Sequence, residues 1–180
     1  MTVSLRPHPS QSDQAAIAVE ASATRPSADR LELHYVVTGD LGALYLPPAG
    51  QPVRADELWK RTCFEAFVRP GDDEAYFEFN FAPTRWWAAY RFDGYRRGMT
   101  EANIEPARIE AHTAGDRFEL TVALDLPDRP SDRPWRLGLS AVIEELNGDK
   151  SHWALAHAPG RPDFHHSDSF ALDLSPEEPA

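Results

Sequence analysis

The chain has 180 residues, 42% hydrophobic and 11% aromatic, which is enough to bury a sizeable core within one domain. A formal charge of −11 with pI near 5.0 argues against nucleic acid or an anionic membrane as the main partner, because phosphate binding needs clustered positive charge. The lone cysteine, Cys63, rules out an intrachain disulfide and a cysteine zinc cage. No apolar leader and no stretch of about 18 apolar residues is present, so a soluble, reducing, cytoplasmic setting is expected.

Alternating apolar and polar residues predict strands at 15–21 and 31–38, followed by a proline-rich connection over 46–52 and one helical turn at 55–60. Further strands are expected at 62–68, 75–82, 86–92, 108–112, 118–124, 135–145, 152–157 and 169–174. Turn signals separate them: Pro70-Gly71-Asp72-Asp73, Asp93-Gly94, Ala114-Gly115-Asp116, a proline-and-aspartate stretch over 127–134, and Asn147-Gly148-Asp149. Asn147-Gly148 reads as a hairpin turn in which both residues tolerate positive φ. Sixteen prolines, ten glycines and no sustained helical period point to an all-β, antiparallel sandwich or barrel of about ten strands with little helix. One domain over 1–174 is expected, with a frayed tail over 175–180.

The stretch 57–99 is the most informative. Over 75–82, Phe77, Phe79 and Phe81 share one side, and Tyr76, Glu78 and Asn80 share the other. Such a strand packs on its phenylalanine side and presents its polar side to a guest at the exterior. In 62–68, Cys63, Glu65 and Phe67 alternate with Phe64, Ala66 and Val68, so both sides are apolar and the strand is central. Glu65 on such a strand needs a partner, because an unpaired buried carboxylate costs several kcal/mol or gives up its charge. That partner is either a structural arginine, tryptophan or backbone group, or a ligand hydroxyl. Trp59, just before the strand, is either a flat platform for a sugar ring or a core plug. Trp86 and Trp87 point to opposite sides, and alternation alone leaves open which is inward.

The segment 152–170 carries His152, His157, His165 and His166 with Asp163 and Asp168 nearby. Histidines with a carboxylate are consistent with a transition metal, with acid–base work, or with a hydrogen-bonded loop that folds over the rim as a lid. Pro159 and Pro162 make the segment a loop, and no helical metal motif is present. Catalytic signals are sparse: there is no nucleophile elbow, phosphate-binding loop or dinucleotide glycine pattern. Glu144-Glu145 and Glu65 with Glu78 are carboxyl pairs of unspecified separation. Arg91, Arg96 and Arg97 read as surface ion-pair partners, or a small anion contact at most.

Trp59, the run Thr62-Cys63-Phe64-Glu65-Ala66-Phe67-Val68, the run Tyr76-Phe77-Glu78-Phe79-Asn80 closing at Pro83, and Trp153-Ala154-Leu155-Ala156-His157 with Asp163-Phe164-His165 resemble the DOMON-like superfamily. The branch they are most similar to is that of family 9 carbohydrate-binding modules. The resemblance spans residues 3–174 and implies a β-sandwich with a ligand site on or beside one sheet, where aromatics clamp a sugar and acids take its hydroxyls. It implies Trp59 as one aromatic wall and Glu65 as a hydroxyl acceptor, with Glu78 and Asn80 beside them. Trp86, Trp153 and Phe164 are candidates for the second wall. Relatives that hold haem through methionine and histidine direct attention to Met99 and His34, and calcium-binding relatives to Gly71-Asp72-Asp73-Glu74.

The expected function is therefore a non-catalytic module for a sugar or similar polyhydroxylated small molecule, without a required cofactor. Its expected ligand-contacting residues are Trp59, Glu65, Tyr76, Glu78, Asn80, Trp86, Trp153, His157, Asp163, Phe164 and His165. The alternatives are a metal site or metalloenzyme using His157, Asp163, His165 and His166, a haem protein, and a protein-interaction domain. The sequence leaves oligomeric state open.

Overall fold

The computed structural model describes residues 2–11, 16–126 and 133–175. The start of the first predicted run, most of the proline-and-aspartate stretch and residues 176–180 of the tail lie outside these. Chain order begins with β1 (Thr2–Ser4), β2 (Arg6–Pro7), β3 (Ile17–Ser27) and β4 (Arg30–Gly39). Then come β5 (Cys63–Pro70), β6 (Tyr76–Phe81), β7 (Trp87–Phe92) and β8 (Thr100–Glu101). The remaining strands are β9 (Arg108–Ala114), β10 (Arg117–Asp125), β11 (Trp135–Glu144), β12 (Lys150–Ala154) and β13 (Leu172–Leu174). Helix among the described residues is confined to the 3-10 turns Leu41–Ala43, Leu58–Lys60 and Ser167–Ser169, none able to cross a membrane.

The strands form two antiparallel sheets, the expected sandwich. One has the order β1-β3-β4-β10-β9, and the other β2-β12-β11-β5-β6-β7-β8 with β13 added alongside β11. The ten predicted strands are all present, and β1, β2 and β8 are additions too short to carry a pattern. Leu5, buried between β1 and β2, marks where the chain crosses from one sheet to the other.

Phenylalanine alternation does what the sequence predicts. Phe77, Phe79 and Phe81 of β6 and Phe64, Ala66 and Val68 of β5 face Leu33, Tyr35, Phe118 and Leu120 of the opposing sheet. Apolar side chains removed from water there contribute roughly 1.5–3 kcal/mol each, which is the main force holding the two sheets together. Tyr35 also spans the sandwich and donates its hydroxyl to the backbone carbonyl of Glu65 at 2.7 Å. Trp87 belongs to this core, so its neighbour Trp86 is the outward one, 44% exposed and just ahead of the strand.

The β11–β12 hairpin turns where expected, by a different geometry. Only Gly148 takes a positive φ (93°), and its N–H bonds the Glu145 carbonyl at 2.9 Å. Asn147 instead holds the turn by accepting from the Asp149 N–H at 2.8 Å. Two other predicted runs are shorter than expected. Residues 155–157 leave the sheet after β12, and Ser169 belongs to a 3-10 turn.

The larger sheet has a second layer on its outward side. Cys63, Phe67, Tyr76, Ala88, Tyr90, Phe92 and Val142 pack there against Leu58, Phe164 and Phe170 from loops. Gly138 makes the cover possible: a Cβ there would stand 2.9 Å from the Ser169 carbonyl oxygen of the overlying strap. Covered on both sides, β5 and β6 read as almost uniformly buried.

Candidate functional site

A cleft of about 430 Å³ opens between this outward layer and its covering loops. Its floor is built by strands. Glu65 comes from β5, Glu78 from β6, Val142 from β11 and His152 from β12. Cross-strand register explains why the two acids meet: Glu65 pairs with Asn80, two residues along β6 from Glu78, so all three side chains emerge on the same side of the sheet. One wall is the β7–β8 connection with Phe92, Arg96 and Met99, and another is Pro162, Phe164 and His165. Trp59 stands at the rim on the Leu58–Lys60 turn, 37% exposed, with its ring edge-on to Tyr90 at 6.2 Å.

The polar side of β6 does not face open solvent, contrary to the expectation. Tyr76, Glu78 and Asn80 are 1%, 5% and 0% exposed, because the 155–171 segment folds across them. Only Glu78 of the three reaches the cleft. Asn80 lies beneath and donates from Nδ2 to Glu78 Oε1 at 2.8 Å, fixing that carboxyl's orientation. Tyr76 anchors the lid: its hydroxyl accepts from the Arg96 N–H at 3.2 Å and stands 2.7 Å from His165 Nδ1. This network assigns the neutral His165 proton to Nε2, which faces Glu78 Oε2 at 3.7 Å.

Asp163 is the latch between the two loops. It accepts from the Arg96 guanidinium at 2.8 Å, from the Tyr95 hydroxyl and from the His165 N–H at 3.1 Å. Arg96 adopts a left-handed backbone (φ 50°), a cost of roughly 1–2 kcal/mol that its contacts to Tyr76 and Asp163 offset.

Burial dominates the electrostatics. Glu65, 3% exposed, is held well above the usual carboxylate range by burial first and by neighbouring Glu78 second. The Ser140 hydroxyl, opposite Glu65 in the β5–β11 pairing, and Arg96 ease its ionisation, although Ser140 makes no regular hydrogen bond. Glu78 is likewise raised by burial, against the Asn80 hydrogen bond and Arg96. Burial, aided by Arg96, pushes His165 down to about 4. His152 is lowered by burial and by His8 and His157. Gln11 Nε2 lies 2.9 Å from its Nδ1, which directs the ring proton to Nε2. The cleft thus offers carboxyls able to accept or donate, imidazole and guanidinium donors, and an aromatic rim.

The structure brings Trp59, Glu65, Glu78, Phe164 and His165 to this cleft, with Tyr76, Asn80 and Asp163 supporting it from behind. It does not bring Trp86, Trp153 or His157 there. Trp86 is outward, elsewhere on the surface. Trp153 is in the inter-sheet core, donating from Nε1 to Ser151 Oγ at 2.8 Å. His157 Nε2 is bonded to the Arg6 carbonyl at 2.8 Å. Sequence reasoning missed Phe92, Arg96, Met99, Val142, His152 and Pro162 as lining residues. Arg96, His152 and Met99 carried signals in the sequence, but these read as a surface ion pair or small anion contact, a histidine cluster and a haem ligand.

The residues proposed for other ligands are dispersed. No three His, Cys, Asp or Glu side chains converge in a metal-holding arrangement among the described residues. His166 caps the Ser167–Ser169 turn through the Asp168 N–H. His34 lies on β4 beside Glu119, whereas Met99 lies at the cleft of the other sheet, so the two do not face one haem. Asp73 and Glu74 are paired with Arg133 and Arg97 at 3.3 Å each, as in a solvated turn.

No family model matches this chain, and no curated protein matches it in sequence. Among solved structures, its fold is similar to that of a candidate carbohydrate-binding protein from Bacteroides uniformis. The TM-score is 0.66 at 15% identity, over 98% of this chain and 86% of that one. At that identity the likeness establishes a shared β-sandwich fold.

Proposed function

We propose that the chain is a non-catalytic binding module that holds a sugar or similar polyhydroxylated small molecule in the Glu65/Glu78 cleft. The observation carrying this reading is a pair of buried carboxyls at the floor of a 430 Å³ cleft whose rim is Trp59. A sugar ring presents hydroxyls on its edge and C–H groups on its faces. The floor supplies hydrogen-bonding partners for the former and Trp59 a flat apolar surface for the latter. The description of the Bacteroides uniformis protein as a candidate carbohydrate binder supports the same reading. So does the resemblance to DOMON-like domains of the kind found in family 9 carbohydrate-binding modules. A single domain over 1–174 in a reducing, cytoplasmic setting belongs to the same proposal, its single-domain part supported by the one core that both sheets share.

Tryptophan fluorescence titrated with a panel of mono- and oligosaccharides tests it. Trp59→Ala is expected to weaken a binding sugar about tenfold, the scale of one aromatic contact. Glu78→Ala is expected to weaken it by at least as much. An affinity unchanged by both substitutions places the ligand elsewhere.

A further inference from the structure

We infer that the ligand of this cleft carries a protonated amine seated against Glu65 and Glu78, so that the preferred ligand class is an aminated polyol such as an amino sugar. The inference rests on the proposed polyhydroxylated ligand and adds its charge.

Two carboxyls on neighbouring strands share the floor, at 3% and 5% exposure, and both line the cavity. Glu65 has no ion-pair partner among the described residues. Glu78 has the amide of Asn80 and, at 3.7 Å, an imidazole that burial keeps neutral. Arg96, whose charge acts on both acids, is committed to Asp163 at 2.8 Å. Beneath them, Asn80 Oδ1 is buried without a hydrogen bond. The floor is therefore rich in acceptors and short of positive charge.

An ammonium group supplies what the floor lacks, namely three N–H donors, no acceptor and one positive charge. Trp59, Phe92 and Phe164 around the same space add the attraction of aromatic π systems for a desolvated cation. At long range the −11 charge of the chain draws cations and repels anions. A neutral sugar hydroxyl can hydrogen-bond these carboxyls, but it brings no positive charge that would let either buried acid give up its proton.

The test is calorimetric titration of the full chain at about pH 6, where amines are protonated, with glucosamine, glucose, N-acetylglucosamine and cyclohexylamine in turn. Glucosamine is expected to bind at least about tenfold tighter than glucose or N-acetylglucosamine, matching one charge-assisted contact. The isosteric double variant Glu65→Gln/Glu78→Gln, its fold checked by near-ultraviolet circular dichroism, is expected to abolish that preference. In the unaltered protein, glucosamine binding is expected to release a proton from the acids, so that its affinity falls more than that of glucose as pH is lowered.

Glucose binding as tightly as glucosamine overturns the inference and leaves the sugar reading standing, as does a preference that survives the double variant. Cyclohexylamine binding with no saccharide binding supports the ammonium seat and removes the polyhydroxylated reading. Absence of binding by all four overturns both.

Discussion

The outward sides of the two sheets differ more than their inward sides. In the smaller sheet β10 alternates buried and open positions regularly, with Glu119 and Thr121 outward between Phe118, Leu120 and Val122. The corresponding side of β6 is fully covered, and the polar residues it carries are buried with the apolar ones. Where outward polar groups stay wet, they need no arrangement. Where loops cover them, each must find a partner or a ligand, and that demand is what builds a site.

This contrast can be broken by substitution on each side. The largest effect is expected at the inward side, which the two sheets share. Phe79→Ala should cost about 3–5 kcal/mol in urea unfolding, the scale for a large core truncation. A comparable loss is not expected from any single outward residue of β10.

Stability against pH separates the two outward sides next. Folded Glu65 and Glu78 hold protons more tightly than the unfolded chain, whose carboxyls titrate near 4.5. The folded state thus binds more protons above that value, and stability falls as pH rises through the raised folded range. His165 acts in the opposite sense. Its stabilisation is complete above 6.5 and is lost as pH falls through about 4. Urea midpoints across pH should show that Glu65→Gln lessens the decline with rising pH, leaving the part due to Glu78. Glu119→Gln on the open side should leave that decline in place.

A smaller effect tests the latch. Asp163→Ala removes acceptors for Arg96, Tyr95 and the His165 N–H, and should cost about 1–2 kcal/mol. Amide hydrogen exchange should quicken in 93–99 and 162–166, while β10 keeps its protection. The smallest effect belongs to Trp86→Ala, expected within about 0.5 kcal/mol of the parent and without influence on saccharide affinity.

Much of the sandwich was legible in the chain. Period-two alternation marks the inward side of each strand, because a residue facing a dry interior must be apolar. It did so for Phe77, Phe79 and Phe81, and for Phe118 through Leu124. Glu65 and Glu78 were also legible as candidates, since a carboxyl among apolar neighbours is conspicuous, and both line the cleft. Asn80 was readable as their companion, but its place beneath Glu78 was not. Trp153 and His157 were misassigned because an aromatic or imidazole group near a strand end has the same local signature in a core as in a wall.

What the sequence determined by itself is the pair of apolar surfaces that must meet, and hence a two-layer β fold with acids stranded on its second side. Tertiary structure alone decided that the 155–171 segment would roof those acids and that Arg96 would pair with Asp163. It also decided that a cleft rather than an open platform would remain. The physical reason is range. Alternation is set by each residue's own neighbours in the chain, whereas a roof and its latch depend on contacts 67 residues apart, such as Arg96 with Asp163, whose closure no local pattern encodes.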